Sequence, residues 1–273
     1  MPVCRRRKTA YSPNRQGDQV KKRLFILFEL WFCTLLILPL PALAQKQEEE
    51  TFFRANQEFK EGHYQKAIED YHQLIEKGYE NGHLNYNLGN AYLRSGQLGR
   101  AILHYERAGL FMPRNADLKF NLNYALDQTT DALPQSKSLI HTGFFWIDSL
   151  TLHELFWGFV VINIFFWTIL FIRIFHRPEW TYYLTIILLI IWLITGLSFG
   201  IKWYSQSTDN RAVILAKEVN ILAGPDSKDT VLFKLHEGAI VQQERMEEDW
   251  ALIRLSKDKR GWVKKNSVEK IRN

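Results

Sequence analysis

Apolar and polar positions follow four patterns in succession along the chain, and each pattern predicts a different structure. An apolar run at 24–40 comes first, and a segment that repeats every 34 residues follows it. The runs 155–175 and 181–201 are almost continuously apolar. Beyond about residue 209 the chain changes to short β-rich runs separated by turn residues. This order predicts a multi-domain membrane protein with a helical region, a transmembrane hairpin and a small β domain.

The first 44 residues predict a secretion signal. A basic cluster at 21–23 precedes the apolar run, and an Ala-Leu-Ala cleavage pattern at 42–44 follows it. This is the order of the n-region, h-region and cleavage site of a signal peptide. The signal is either cleaved or retained as an anchor, and both alternatives send the residues that follow to the outer side of a bacterial cytoplasmic membrane. Phe32 precedes Cys33 where a lipoprotein signal has a small residue, so we do not expect lipidation.

Residues 48–81 and 82–115 are two copies of one 34-residue pattern. Gly, Ala and Tyr recur at matched positions, and 116–130 is predicted to form a final helix. The matched pairs are Gly62 and Gly96, Ala67 and Ala101, and Tyr71 and Tyr105. This pattern resembles the tetratricopeptide repeat, in which two antiparallel helices stack on those of the next repeat. The resemblance implies an α-helical domain over 45–130 with a concave groove that binds a peptide.

Asparagine recurs at two positions in the first helix of the repeats. The sixth position carries Asn87 and Asn121, and the ninth carries Asn56 and Asn90. Amides at regular positions on an inner helix face can hydrogen-bond a peptide backbone without reading its side chains. We therefore take these four residues as candidate peptide-binding residues. The alternative is that they only solvate the face or satisfy helix ends.

The two apolar runs predict transmembrane helices at 154–175 and 181–203. A short turn at 176–180 joins them, and it carries basic residues in or beside it, which the positive-inside rule places in the cytoplasm. Both soluble parts then lie in the periplasm. The connecting segment 131–153 is too apolar for a free linker, so we expect it to lie at the membrane surface.

Three residues of the spans are candidates for helix packing. Gly196 and Gly200 form a G-x-x-x-G pattern, which allows close helix contact in membranes. The same stretch matches the G-x-S-x-G pattern of hydrolases, but it lies inside an apolar helix rather than between a strand and a helix. Asn163 is expected either to bond across the hairpin or simply to be tolerated.

Residues 209–273 predict five or six short strands in a small barrel. The stretch 219–225, a Glu-Gly turn at 237–238 and the Gly-Trp-Val sequence at 261–263 resemble the bacterial SH3-like domain. Leu and Ala stand at 222–223 where that family commonly has Arg-Ser, so we expect an altered ligand pocket. Trp250 and Trp262 are interpreted as core residues rather than a ligand platform.

Charge and chemistry exclude several functions. All of the net charge of +6 lies in the first 44 residues, so the remainder lacks the basic surface that nucleic-acid binding needs. Both cysteines lie in the same segment. His153 and Glu154 begin a zinc-binding H-E-x-x-H motif, but Trp157 occupies its last place. We expect no catalytic residues, no metal and no cofactor, although an acid/base pair assembled only by folding stays open.

The order of signal, tetratricopeptide repeats, two spans and SH3-like domain resembles the BatE proteins of the bacterial aerotolerance operon. That resemblance implies a Gram-negative inner membrane and a part in stress tolerance or envelope assembly. It also implies partners, namely membrane proteins with von Willebrand A domains and a MoxR-type ATPase. We expect a periplasmic scaffold that binds protein partners through its groove. The alternative is a cell-wall sensor whose SH3-like domain binds peptidoglycan peptides.

Overall fold

The computed structural model describes residues 45–131, 145–175 and 178–272. The predicted signal, most of the predicted linker and part of the predicted turn between the spans lie outside the described residues. From Glu48 onward the chain forms one compact unit. The helical region comprises α1 Gln45–Lys60, α2 Tyr64–Glu76, α3 Gly82–Arg94, α4 Leu98–Phe111 and α5 Ala116–Leu126.

Turn chemistry explains where these helices begin and end. Gly62 and Gly96 follow α1 and α3 with φ of 84° and 76°, a conformation that glycine adopts without steric cost. Asn81 and Asn115 precede α3 and α5, and each accepts a 2.8 Å hydrogen bond from the backbone N–H three residues on. The turn glycine and the N-capping asparagine each recur after 34 residues. The helices α1–α2 and α3–α4 are therefore successive helix pairs.

The core of the helical region lies between these pairs. Small residues allow close crossing, and a Cβ on Gly89 would lie 2.6 Å from the ring of Tyr105. Ala67, Ala101 and Ala108 are fully buried for the same reason. Two residues of the C-terminal domain, Val213 and Ile271, also belong to this core.

Two long apolar helices follow a short helix α6, Phe145–Ser149. They are α7 Leu152–Phe175 and α8 Glu179–Ser207, and both are long and apolar enough to cross a membrane. Only 11% of each most apolar window is buried, which is the opposite of a core helix in a soluble domain.

The C-terminal part is a seven-stranded antiparallel sheet in the order β3-β2-β6-β5-β4-β1-β7. Gly261 on β6 permits a close crossing, since a Cβ there would lie 2.7 Å from the carbonyl oxygen of Leu222 on β2. The strands are β1 Arg211–Ile214, β2 Glu218–Leu222, β3 Val231–His236, β4 Ile240–Glu247, β5 Trp250–Arg254, β6 Arg260–Lys264 and β7 Val268–Lys270.

The prediction of a closed barrel is wrong, because β3 and β7 form two separate edges of the sheet. The edge at β7 is instead covered by α4. Arg107 donates hydrogen bonds of 2.8 and 3.0 Å to the carbonyl oxygens of Lys270 and Ile271. A side chain of the helical region, rather than another strand, therefore bonds to the chain at this edge.

Candidate functional site

The four asparagines predicted to bind a peptide share one face of the helical region and bond to one another in two equivalent sets. Asn56 Oδ1 accepts from Asn87 Nδ2 at 2.8 Å, and Asn90 Oδ1 accepts from Asn121 Nδ2 at 2.9 Å. We call these four residues the asparagine face. In both sets the sixth position of one repeat donates to the ninth position of the repeat before it.

A tyrosine completes each set. The hydroxyl of Tyr71 donates to Asn56 Oδ1 at 2.6 Å, and that of Tyr105 donates to Asn90 Oδ1 at 2.7 Å. Burial raises the pKa of both tyrosines, so the hydroxyls stay protonated donors at neutral pH. The asparagines therefore have a structural role, because they join one helix pair to the next.

Part of each amide stays available to a ligand. In the described part of the chain, no hydrogen bond occupies Oδ1 of Asn87 or Asn121, or Nδ2 of Asn56 or Asn90. All four side chains are half-buried rather than covered. The face thus offers two acceptors and two pairs of donors, the combination that an extended backbone can pair with.

Exposed aromatic side chains stand at both ends of the asparagine face. Phe53 on α1 is 62% exposed, and Phe120 and Tyr124 on α5 are 71% and 55% exposed. Phe53 holds the repeat position of Asn87, and Tyr124 holds that of Asn90. The pattern is therefore amides in the middle and apolar surface at the two ends, an arrangement that fits apolar side chains of a ligand as well as its backbone.

The three candidate helix-packing residues differ in their contacts. A Cβ on Gly196 would lie 3.0 Å from the ring of Phe159 on α7, so this glycine allows the two helices to approach. Around Gly200 nothing lies within 4 Å of a built Cβ. Asn163 Oδ1 accepts a 3.0 Å hydrogen bond from Trp192 Nε1 across the hairpin.

Several ion pairs and hydrogen bonds join the sheet to α4. Arg107 also pairs with Glu269 at 2.8 Å, and Arg211 on β1 pairs with Glu106 at 2.8 Å. Gly99 lies so close to β1 that a Cβ there would be 2.5 Å from the carbonyl oxygen of Ile214. The C-terminal domain is thus packed on the helical region rather than joined to it only through the hairpin.

A buried histidine lies between the two helix pairs. His104 is 4% exposed, its Nδ1 is 2.9 Å from Asn85 Oδ1, and its ring stacks on Tyr92. Burial lowers its pKa well below the usual value, with Arg107 adding to the effect, so the ring is neutral at pH 7. Nε2 of His72 contacts the hydroxyl of the same Tyr92.

The turn between α1 and α2 brings together Glu58, Glu61 and His63, each offering one ligand atom within 4.8 Å of the others. The expectation from sequence was that the chain has no metal site. His63 Nδ1 already lies 2.8 Å from Glu58 Oε2, and all three side chains are at least partly open to solvent. His63 Nδ1 also lies 3.6 Å from Glu61 Oε2, and Glu61 accepts a hydrogen bond from Gln57.

A cleft of about 290 Å³ lies on the surface of the sheet. The guanidinium of Arg245 is 5.3 Å from the ring centre of Trp262, which is itself 7% exposed. Arg245 and Arg260 pair with Glu247 and Glu244, so the charge of the cleft is balanced. Ala223 lines this cleft, at one of the two positions where the sequence departs from the SH3-like pattern.

Sequence reasoning missed the contacts that join distant parts of the chain. Arg107 and Glu269 are 162 residues apart, and no periodicity connects them. The register of the asparagines was visible in the 34-residue spacing, but their mutual bonding was not.

Comparison with known families identifies one part of the chain. Residues 216–270 match the model of the bacterial SH3 domain, a span that begins after β1 and ends with β7. A comparison with curated proteins found no match to this chain. The C-terminal sheet is therefore a bacterial SH3 domain.

Proposed function

We propose that this chain is a membrane-anchored scaffold whose asparagine face binds an extended segment of a partner protein. In this proposal α1–α5 are tetratricopeptide repeats, α7 and α8 span an inner membrane, and both soluble parts lie in the periplasm. The chain is not an enzyme in this proposal, and its surface binds proteins rather than nucleic acid.

One observation carries the proposal: the asparagine face stays open although the SH3 domain is packed on the helical region. The domain contacts α4 through Gly99, Arg107 and their neighbours. The asparagines lie on α1, α3 and α5, where exposed aromatic side chains stand at the two ends of the half-buried amides. An open surface of this kind on an otherwise packed unit is typical of a binding site.

Site-specific photo-cross-linking in cells tests the binding surface. A photoreactive residue at Asn87 and one at Tyr124 are expected to capture the same protein. A matched control at Leu232, which is 51% exposed on β3, should not capture it. Capture of the same protein at all three positions, or of different proteins at 87 and 124, would contradict a single groove.

The resemblance to BatE proteins supplies the candidate partners, namely membrane proteins with von Willebrand A domains and a MoxR-type ATPase system. Their presence among proteins captured at Tyr124 would place the scaffold in an aerotolerance-type complex. Replacing Phe120 and Tyr124 by alanine should abolish capture by the photoreactive residue at position 87 without loss of folded protein, because both side chains are exposed and lie outside the hydrogen-bonded sets.

Topology is tested independently by a reporter that is active only outside the cytoplasm. Fusions after residue 140 and after Asn273 should be active, and a fusion at Pro178 should be inactive. Activity at Pro178 alone would put the asparagine face in the cytoplasm and refute the periplasmic proposal.

The bacterial SH3 domain favours one alternative, a cell-wall sensor that binds peptidoglycan peptides. The Arg245 and Trp262 cleft is the surface that such a peptide would use. Sedimentation of the full chain with purified sacculi, lost on Arg245→Ala and kept on Arg254→Ala, would support the sensor. No sedimentation above that of the detergent control would exclude it.

A further inference from the structure

A large cavity lies where the helical region, the two apolar helices and the C-terminus meet. Its volume is about 910 Å³, at the upper end of the range for small-molecule sites. The walls come from α2 and α4, from the start of α7, from the end of α8 and from the residues after β7. Under the proposed topology this junction is at the outer surface of the membrane.

Apolar side chains form most of the walls. Leu110 and Phe111 at the end of α4 line the cavity together with Phe156 of α7 and Phe199 of α8. Phe111 and Phe156 are 42% and 41% exposed, although both belong to the compact unit. Phe156 and Phe199 contact each other, but Phe111 and Phe156 keep large exposed fractions, so an apolar ligand that covers them would be stabilised here.

The cavity also carries a cation that pairs with no carboxylate of the described residues. Arg272 donates a 3.0 Å hydrogen bond to Gln206, and within the described ranges it forms no ion pair. Arg107, which also lines the cavity, already pairs with Glu269 and donates to two carbonyl oxygens. Glu80 is an acidic residue of the wall, and it already accepts a hydrogen bond from Asn85.

We infer that this cavity binds a membrane phospholipid with an anionic headgroup. The headgroup phosphate pairs with Arg272, and one acyl chain packs against Phe111, Phe156 and Phe199. An amphipathic anion satisfies both halves of the site, whereas free phosphate would leave the apolar walls unfilled. The inference rests on the proposed membrane anchoring, because the ends of α7 and α8 supply the entry from the bilayer.

A bound lipid would add a contact between the hairpin and the soluble body. The protein itself already supplies one, an ion pair between Arg114 after α4 and Glu154 in the first turn of α7. The bound lipid would then hold the asparagine face in one orientation relative to the membrane.

Lipid retention by the purified full chain tests the inference. The protein is reconstituted in nanodiscs that contain phosphatidylcholine with or without phosphatidylglycerol. After transfer to a mild detergent, the mass of the protein with its retained lipids is measured by native mass spectrometry. We expect one phosphatidylglycerol to be retained in preference to phosphatidylcholine. Arg272→Gln should lower that retention about tenfold, the effect of one charge-assisted hydrogen bond. Arg254→Gln, on the exposed side of β5, is the matched control.

A second pair of variants locates the lipid. Leu110→Trp fills the cavity and should abolish retention, whereas Phe165→Trp, 58% exposed on the same helix as Phe156, should leave it unchanged. A photoreactive residue at 111 should cross-link to lipid. Cross-linking to another segment of the chain, equal retention of both lipids, or retention that survives Leu110→Trp would each overturn the inference.

Carbonate extraction of membranes separates this inference from the proposed function. If the protein stays in the pellet and captures its partner but retains no phosphatidylglycerol, the lipid site is wrong and the scaffold stands. If the protein is released by carbonate, the anchoring itself is wrong.

Discussion

Replacing Arg107 by methionine should separate the SH3 domain from the helical region. The Arg107 side chain is 11% exposed and donates to Glu269 and to the carbonyl oxygens of Lys270 and Ile271 at 2.8–3.0 Å. Methionine keeps most of the apolar stem but removes every donor. The carbonyl oxygens of Lys270 and Ile271 then lose their partner in a largely buried junction.

The magnitude follows from the unequal burial of the two charges. Removing one partner of a buried charge pair costs about 3–5 kcal/mol. Because Glu269 is 45% exposed and can be solvated, we take the lower end, about 3 kcal/mol. For a folded unit of this size that corresponds to a fall of about 6–12 °C in Tm. Glu269→Gln keeps an acceptor oxygen, so it should cost no more than about 1 kcal/mol.

The assay is thermal unfolding of the full chain in detergent, with Arg100→Met as control. Arg100 is an exposed residue on the same helix, so the same substitution there should change the free energy of unfolding by less than about 0.5 kcal/mol. Hydrogen exchange at the Ile271 amide, which bonds to the Arg211 carbonyl oxygen at 3.0 Å, reports opening of the β1–β7 edge that adjoins the junction. Equal losses for Arg107→Met and Arg100→Met would refute the reasoning.

Three further outcomes test other contacts. Gly99→Ala should destabilise the unit by about 1–3 kcal/mol, because the new Cβ clashes with the carbonyl oxygen of Ile214. Gly109→Ala on the same helix has open space around its Cβ position and should stabilise the unit by up to about 1 kcal/mol. Chemical unfolding compares the two variants. His104 binds a proton more weakly when folded than when unfolded, so stability should be constant above pH 6.5 and fall below it by about 1.4 kcal/mol per pH unit. His104→Gln, measured by the same unfolding midpoints, should lower that slope, and the remainder is expected from His72, whose pKa burial also lowers. An unchanged slope would assign it to other groups. Asn90→Ala should cost about 1–2 kcal/mol in unfolding measurements, since two donors lose their acceptor, and no loss would mean that the repeats do not depend on these bonds.

The sequence predicts those features of the fold that depend on local chemistry. Glycine and asparagine at repeated turn positions give the helix boundaries, and continuous apolar runs give α7 and α8. The SH3 domain was recognisable from the turn at Gly238 and from the Gly261-Trp262 pair. Gly238 has a positive φ that its turn requires, and Gly261 allows close strand packing.

The sequence does not predict what contacts the edge strand β7 of the sheet. Strand patterns indicate which segments pair, but they carry no information on what covers an edge. Here Arg107 takes that place, and its guanidinium looks from sequence like any other solvated charge on a helix. The asparagine face shows the same limit. The 34-residue spacing predicts that the four asparagines hold equivalent positions, but it does not predict that their amides bond to one another.

The contact between the SH3 domain and α4 changes how a scaffold of this kind would act. Two domains tethered only by a hairpin would present their binding surfaces at variable separation, and a partner that engaged both would gain through effective concentration alone. With Arg107 and Arg211 bonded across the junction, the asparagine face and the sheet cleft are instead held at one separation. A partner whose binding segments match this separation gains affinity, because the two surfaces need not be ordered when it binds. A partner that does not match cannot engage both surfaces. Loss of selectivity among partners after Arg107→Met, with the asparagine face intact, would therefore show that the junction sets the choice of partner.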